Sequence, residues 1–174
     1  MVSEDVRARV TSYIKHQAGK GPQPVAVIVA DSQHRLLGVL SSVDEPLTAR
    51  QPAPDEWCLR ELLRHVIDAQ HGVSTLVERL SSGTEVKFDE RRSVGMKKED
   101  TGQPYAEMLG ELRASNQRLQ DTMAALPAQP DTTLTAPHPF FGELNCIEWA
   151  AFQKIHDEDH IQHANKIIAA ITAA

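Results

Sequence analysis

At 174 residues, with 41% apolar and 24% charged residues, the chain has the size and composition of one globular domain with a sizeable core. A net charge of −6 argues against a nucleic-acid binder, which needs a basic surface. The longest apolar run, 25–30, cannot span a bilayer. The N-terminus MVSEDVRARV lacks the apolar stretch of a signal peptide, and the two cysteines, Cys58 and Cys146, make no disulfide framework. A cytoplasmic protein without membrane or nucleic-acid partners is expected.

Residues 3–18 read as an amphipathic helix. Ser3 caps it, Glu4 and Asp5 follow in the first turn, Val6, Val10, Tyr13 and Ile14 form a stripe, and Gly19 stops it. A Gly/Pro linker follows, so residues 1–20 form an added helix and linker ahead of a main body at 21–174. The β-branched run from Val25 to Val29 suits a strand. A helix over 24–43 is preferred, because Ile28, Leu36, Leu40 and Val43 continue at helical spacing. Three prolines mark 44–54 as a connection. The next helix is expected over 55–80. At about 100° per residue, Cys58, Leu62, Ala69, Gly72, Val73, Leu76 and Leu80 lie on one stripe with His65. Glu61 and Asp68 flank that stripe.

Residues 81–103 are polar and read as a mobile excursion. A helix from about Pro104 carries Tyr105, Met108, Leu109, Leu112, Leu119, Met123 and Leu126 on its apolar face. The four prolines of 127–142 exclude a continuous helix. The last helix opens at Asn145, with Glu148 completing a capping box, and runs to about Thr172. Trp149, Phe152, His160, His163 and Ile167 all fall within roughly 40° of His156 around its axis. No convincing strand is seen, so the fold class is an all-α bundle.

His156 and His160 stand in an H-x-x-x-H spacing that puts both imidazoles on one helix face. A lone histidine on an apolar face is ordinarily a core residue with a satisfied hydrogen bond. Three on two buried stripes need partners, and one divalent ion satisfies His65, His156 and His160 together. His163, one turn on, suits a fourth ligand, a general base or an outer hydrogen-bond partner. Asp159 lies near enough to the stripe to assist, and Glu61 or Asp68 suits acceptance of a ligand's far N–H. Asp157 and Glu158 are expected to be solvated acids, Cys58 a core residue, and Trp57 and Trp149 packing anchors. His65 and His156 lie at similar depths, about 15 and 17 Å, below their expected helix starts. This favours a parallel pair of helices and a pocket at mid-bundle. Residues 81–103 and 127–142 are then expected at the bundle ends, one of them folding back to shape the mouth.

The stretch Glu56-Trp57-Cys58-Leu59-Arg60-Glu61-Leu62-Leu63-Arg64-His65-Val66-Ile67-Asp68-Ala69 resembles a signature of the DinB-like superfamily: a Trp opening a helix, and a His about two turns on. His138-Pro139-Phe140-Phe141-Gly142-Glu143-Leu144, then Glu148-Trp149, then His156-x-x-x-His160, is similar to that superfamily's last loop and helix. The resemblance covers residues 24–172. It implies a four-helix bundle of up-down-down-up order, with the N-terminal helix as an addition. It implies a divalent metal, often zinc or nickel, on three histidines that map to His65, His156 and His160, and it implies a homodimer. Relatives include thiol-dependent transferases and isomerases that use bacillithiol or mycothiol. Related sequences often carry Gln where this one has His163.

A metal-dependent enzyme acting on a small molecule is therefore expected. Thiol-dependent S-transfer, with a low-molecular-weight thiol as cosubstrate, is favoured by the resemblance. His163 or Asp159 would handle the proton as the catalytic residue. The alternatives are a hydrolase of an ester or amide, and a non-catalytic metal-binding stress-response bundle.

Overall fold

The computed structural model describes residues 3–86 and 102–173. Among the described residues, five α-helices and one hairpin follow in chain order, with a short 3-10 helix at Glu45–Leu47 between the second and third: α1 (Glu4–Ala18), α2 (Pro22–Leu40), α3 (Leu59–Ser81), α4 (Tyr105–Ala125), β1 (Thr135–His138), β2 (Gly142–Asn145) and α5 (Cys146–Thr172). Among the described residues, no helix is long and apolar enough to cross a membrane. Residues 87–101, the larger part of the expected excursion, lie outside the described residues.

The Val-rich run of α2 is helical. Val25, Val29, Leu36 and Leu40 are buried at helical spacing, so packing overrides β propensity. α3 starts four residues later than expected. Asp55 has a positive φ of 67°, which no helix continues, and Cys58 is the N-cap. Glu61 reaches back to accept the Cys58 N–H at 2.9 Å, closing a capping box. Glu61 is thus committed to the helix start. Trp57 is left just outside the helix.

Side-chain pairs fix the helix directions. Arg64–Glu111 at 3.0 Å, Gln70–Asn116 at 2.6 Å and Arg118–Glu78 at 2.8 Å advance together, so α3 and α4 run parallel. The Tyr105 hydroxyl donates to Leu40 O at 3.0 Å and Gln120 donates to Gln33 at 2.8 Å, so α4 opposes α2. Ser32 meets Asp157 and Arg35 meets Glu158, so α2 and α5 run parallel. The start of α3 shares one apolar cluster with Ala164, Ile167 and Ile171. Its end shares another with Trp149 and Ala150. α3 and α5 are therefore antiparallel, and the four helices from α2 to α5 run up-down-down-up. This corrects the expected parallel pairing of the histidine helices. α5 has 27 residues, and depth below its start does not set direction, because the longer helix can reverse and still bring its middle to the first turns of α3. α1 packs on α5 and α2, with Ile14 fully buried.

The segment after α4 holds a two-stranded hairpin where no strand was expected. Thr135 pairs with Asn145 and His138 with Gly142, around the turn Pro139-Phe140-Phe141. Gly142 has φ 77°, the left-handed residue that a three-residue hairpin turn requires. The Trp149 indole donates to Ala136 O at 3.2 Å and pins the hairpin to α5. Asn145 caps α5 as expected: its Oδ1 accepts from the Ile147 and Glu148 amides, both at 3.0 Å.

Asp157 is not the solvated acid expected. It lies about 100° round from His156, on the face that meets α2, and is fully buried. Ser32 Oγ and Gln153 Nε2 each donate to it at 2.7 Å. Burial pushes its carboxyl up to about 7, against an ordinary value near 4. The unfolded chain releases this proton first. The stability from the neutral acid is therefore complete below about pH 4 and is lost as pH rises to about 7. At about 1.4 kcal/mol per pH unit, the loss is on the order of 4 kcal/mol. Asp157→Asn stays neutral and keeps an oxygen for Ser32. Urea denaturation at pH 5 and pH 8 should show the variant gaining several kcal/mol on the wild type between the two. An identical pH dependence would mean that Asp157 is not held neutral.

Candidate metal centre

The two apolar clusters leave a band between them, on the side where α3 and α5 meet. His65 enters this band from the second turn of α3, below the cap that Glu61 closes. His156 and His160 enter from successive turns of α5. Ring centroids are 5.5 Å apart for His65–His156, 4.9 Å for His65–His160 and 4.3 Å for His156–His160. One ligand atom from each ring lies within 4.8 Å of the other two. The Nε2 atoms of His156 and His160 are 3.1 Å apart. Two bonds of about 2.1 Å at about 90–110° would subtend roughly 3.0–3.4 Å.

The electrostatics suit a cation. His156 is held well below its ordinary value, first by burial and then by His160, His65 and His138. Burial, then His65 and His163, brings His160 down to about 3. Both rings are neutral at neutral pH and offer lone pairs rather than charges. Their Nδ1 atoms are buried, without a hydrogen-bond partner among the described residues. At 3.1 Å one Nε2–H can donate to the other Nε2, and with both rings protonated on Nδ1 instead the two Nε2 lone pairs are open to a single cation. The residues present therefore fit one divalent ion on three neutral nitrogens.

The other expected participants are placed as follows. His163 is half-buried with its ring 6.3 Å from His160, and the converging set of three does not include it. It lies instead 5.6 Å from the Trp57 ring, centroid to centroid, and burial lowers its pKa against a raising influence from Asp159. Trp57 also meets His65 edge-on at 5.3 Å, so the residue expected as a packing anchor borders the site. Asp159 is exposed and lines a crease of about 220 Å³ with Gln162, His163 and Lys166. Asp68 is exposed on α3, and Glu61 serves the helix cap. Cys58 is buried, as expected, at the cap of α3.

Reasoning from sequence did not single out His138 as a site residue. The hairpin carries it back along the bundle. It stacks on Phe141 at 4.6 Å and meets Phe152 at 4.4 Å, near enough to His156 to influence its ionisation. The Pro-Phe-Phe-Gly turn after His138 was the available signal, since a glycine closing a short turn between apolar residues marks a hairpin.

Comparison with known proteins agrees with this architecture. A search of curated proteins gave no match. Similar solved structures include the following two. The four-helix bundle protein TT2238 is 21% identical, with a TM-score of 0.62, over 83% of this chain and 98% of that chain. YfiT from Bacillus subtilis is described as a probable metal-dependent hydrolase with an unusual four-helix bundle topology. It is 14% identical, with a TM-score of 0.61, over 96% of this chain and 88% of that chain. At such identities the likeness shows the fold. The sequence profile of the DinB superfamily matches residues 29–164, well over half of the chain and including all three histidines, and on that ground the protein is a member of the DinB superfamily.

Proposed function

We propose that the protein is a metal-dependent enzyme acting on a small molecule, most simply by hydrolysis, with His65, His156 and His160 holding one divalent ion, zinc or nickel. The observation that carries the reading is the convergence of three imidazole nitrogens within 4.8 Å. An ion so held is a Lewis acid whose double charge its neutral ligands leave undiminished. To His163 we assign proton transfer. Burial favours its neutral form, so it can accept a proton from the attacking nucleophile. Asp159, which raises its pKa, stabilises the imidazolium that results. Trp57 lies against both His65 and His163 and borders that side of the site. The description of YfiT as a probable metal-dependent hydrolase supports hydrolysis.

Thiol-dependent S-transfer is the second reading. The crease of Asp159, Gln162, His163 and Lys166 favours it, because it offers charged and polar groups to a hydrophilic thiol beside the site. In that reaction the thiol sulfur would attack an electrophilic carbon, forming the C–S bond as the bond from that carbon to the leaving group breaks, and His163 would take the thiol proton and return it to the departing group. The superfamily resemblance also supports a homodimer, for which light scattering at micromolar concentration should give about 38 kDa.

Protein purified without an affinity tag should carry about one equivalent of divalent metal by elemental analysis. His160→Ala should lose it while retaining its helical circular dichroism. A full equivalent in that variant would overturn the ligand assignment. Nickel or cobalt added to metal-free protein should quench the Trp57 emission, and Trp57→Phe should remove that response.

Activity separates the two reactions. The metal-loaded protein is tested on ester and amide panels, and on a generic electrophile with bacillithiol, mycothiol or glutathione. Release without thiol marks a hydrolase, and release only with thiol marks a transferase. His163→Ala should lower kcat by about 10²–10⁴ with metal retained. A fully coordinated metal without turnover would identify a non-catalytic metal holder.

A further inference from the structure

Two apolar clusters fill the bundle, one toward each end. Their buried members are separated on α2 between Val29 and Leu36, on α3 between Ile67 and Val73, on α4 between Leu112 and Leu119, and on α5 between Ala151 and Ala164. Every buried residue in those four gaps is polar: Ser32 and Gln33 on α2, Gln70 on α3, Ser115 on α4, and Gln153, Asp157 and His160 on α5. Hydrogen bonds join this layer around the bundle. Gln70 donates to Asn116 at 2.6 Å and ties α3 to α4. Gln120, one turn on from Asn116, donates to Gln33 at 2.8 Å and ties α4 to α2. Ser32, beside Gln33, donates to Asp157 and ties α2 to α5. The two helices that carry the histidines are thus indexed to one another through α4 and α2.

The layer is not built for stability. Gln33 Nε2, Gln70 Oε1, Ser115 Oγ and Gln153 Oε1 are each buried without a hydrogen-bond partner among the described residues. The four residues are 3%, 0%, 1% and 0% exposed, so bulk water does not serve them. A buried polar atom without a partner costs free energy that an apolar side chain of similar shape would not. What such a layer supplies is register. Apolar side chains can pack against one another in more than one arrangement. A slide of one helix by a turn, about 5.4 Å, would instead press an amide into an apolar cluster and break its tie to the next helix. Buried polar residues fix register in helical assemblies at such a cost in stability.

We propose that this mid-bundle polar layer sets the register between α3 and α5, with Gln33 and Gln70 as the positioning residues that hold His65 level with His156 and His160. The consequence for metal binding rests on the proposed metal site. The register itself belongs to the metal-free chain and is measured there.

The test variant combines Gln33→Leu, Gln70→Leu and Ser115→Ala, which makes the layer apolar at similar volume and touches no histidine. Nitroxides on His71→Cys of α3 and Asn165→Cys of α5, both exposed positions, report the helix spacing by double electron–electron resonance in metal-free protein. The wild-type layer should give one narrow distance. The apolar-layer variant should give a second, displaced by up to about 5.4 Å, one helical turn. Its urea midpoint should equal or exceed that of the wild type. Cobalt(II), followed by chelator competition, should bind it about tenfold more weakly, as when about a tenth of the chains hold the competent register. The pair Gln33→Asn and Gln70→Asn keeps the layer polar while shortening its ties, so the urea midpoint should fall and the single distance remain. A single wild-type distance in the apolar-layer variant would overturn the proposal. A second distance with cobalt affinity unchanged would overturn the role toward the histidines. Should the apolar-layer variant not fold, Gln70→Leu alone meets the same criteria. A wild-type protein that binds no cobalt would overturn the metal reading alone, and the distances would still decide the register.

Discussion

The rotation of α5 about its own axis is the constraint on which the centre of this molecule depends. Adjacent residues on this helix point to different neighbours. His156 and His160 face α3, while Asp157 faces α2 and is tied to Ser32. Lys154 lies over the Tyr13 ring of α1. A turn of α5 by one residue position, about 100°, would in one sense bury His156 where the acid now sits, and in the other swing the acid into the histidine cluster. The buried Ser32–Asp157–Gln153 chain resists that turn. It contains no candidate ligand, yet it determines where two of them point.

Capping performs the corresponding task at the helix starts. Glu61 and Glu148 each return to the amide of their own N-cap residue, at 2.9 Å in both cases. On α3 this fixes the first turn and hence the level of His65. It also holds Trp57 outside the helix, against His65 and His163. On α5 it joins the helix to the hairpin without slack, so His138 is carried to a defined place beside Phe152. The two short segments that border the histidines are thus positioned by hydrogen bonds at helix ends.

Much of this was legible in the sequence. The α2 stripe, the Asn145–Glu148 cap and the histidine faces follow from periodicity and local chemistry, and resemblance supplied the helix order. Four features were not legible in the residue pattern itself, each for a physical reason. Asp157 is one residue from a histidine of the stripe, and periodicity says which face a residue occupies without saying whether a second helix covers it. The α3 start depends on a left-handed Asp55, which only the folded chain displays. The antiparallel relation of α3 and α5 arises from packing at both ends of long helices, and a depth counted from one end carries no sign. The hairpin's role depends on where its turn lands, which the strand pattern alone does not state.

The distance along the chain between the histidines has a consequence for how the protein assembles. His156 and His160 come together as soon as one helix forms, but His65 is roughly ninety residues away and meets them only when α3 and α5 have docked. A pair one turn apart holds an ion weakly, and the third nitrogen completes the set. For the proposed ion, tight binding would then be a property of the assembled bundle and absent from its parts. It would close a loop of that length, which costs an unfolded chain considerable entropy. Metal affinity therefore doubles as a gauge of whether the last long-range contact of the fold has been made.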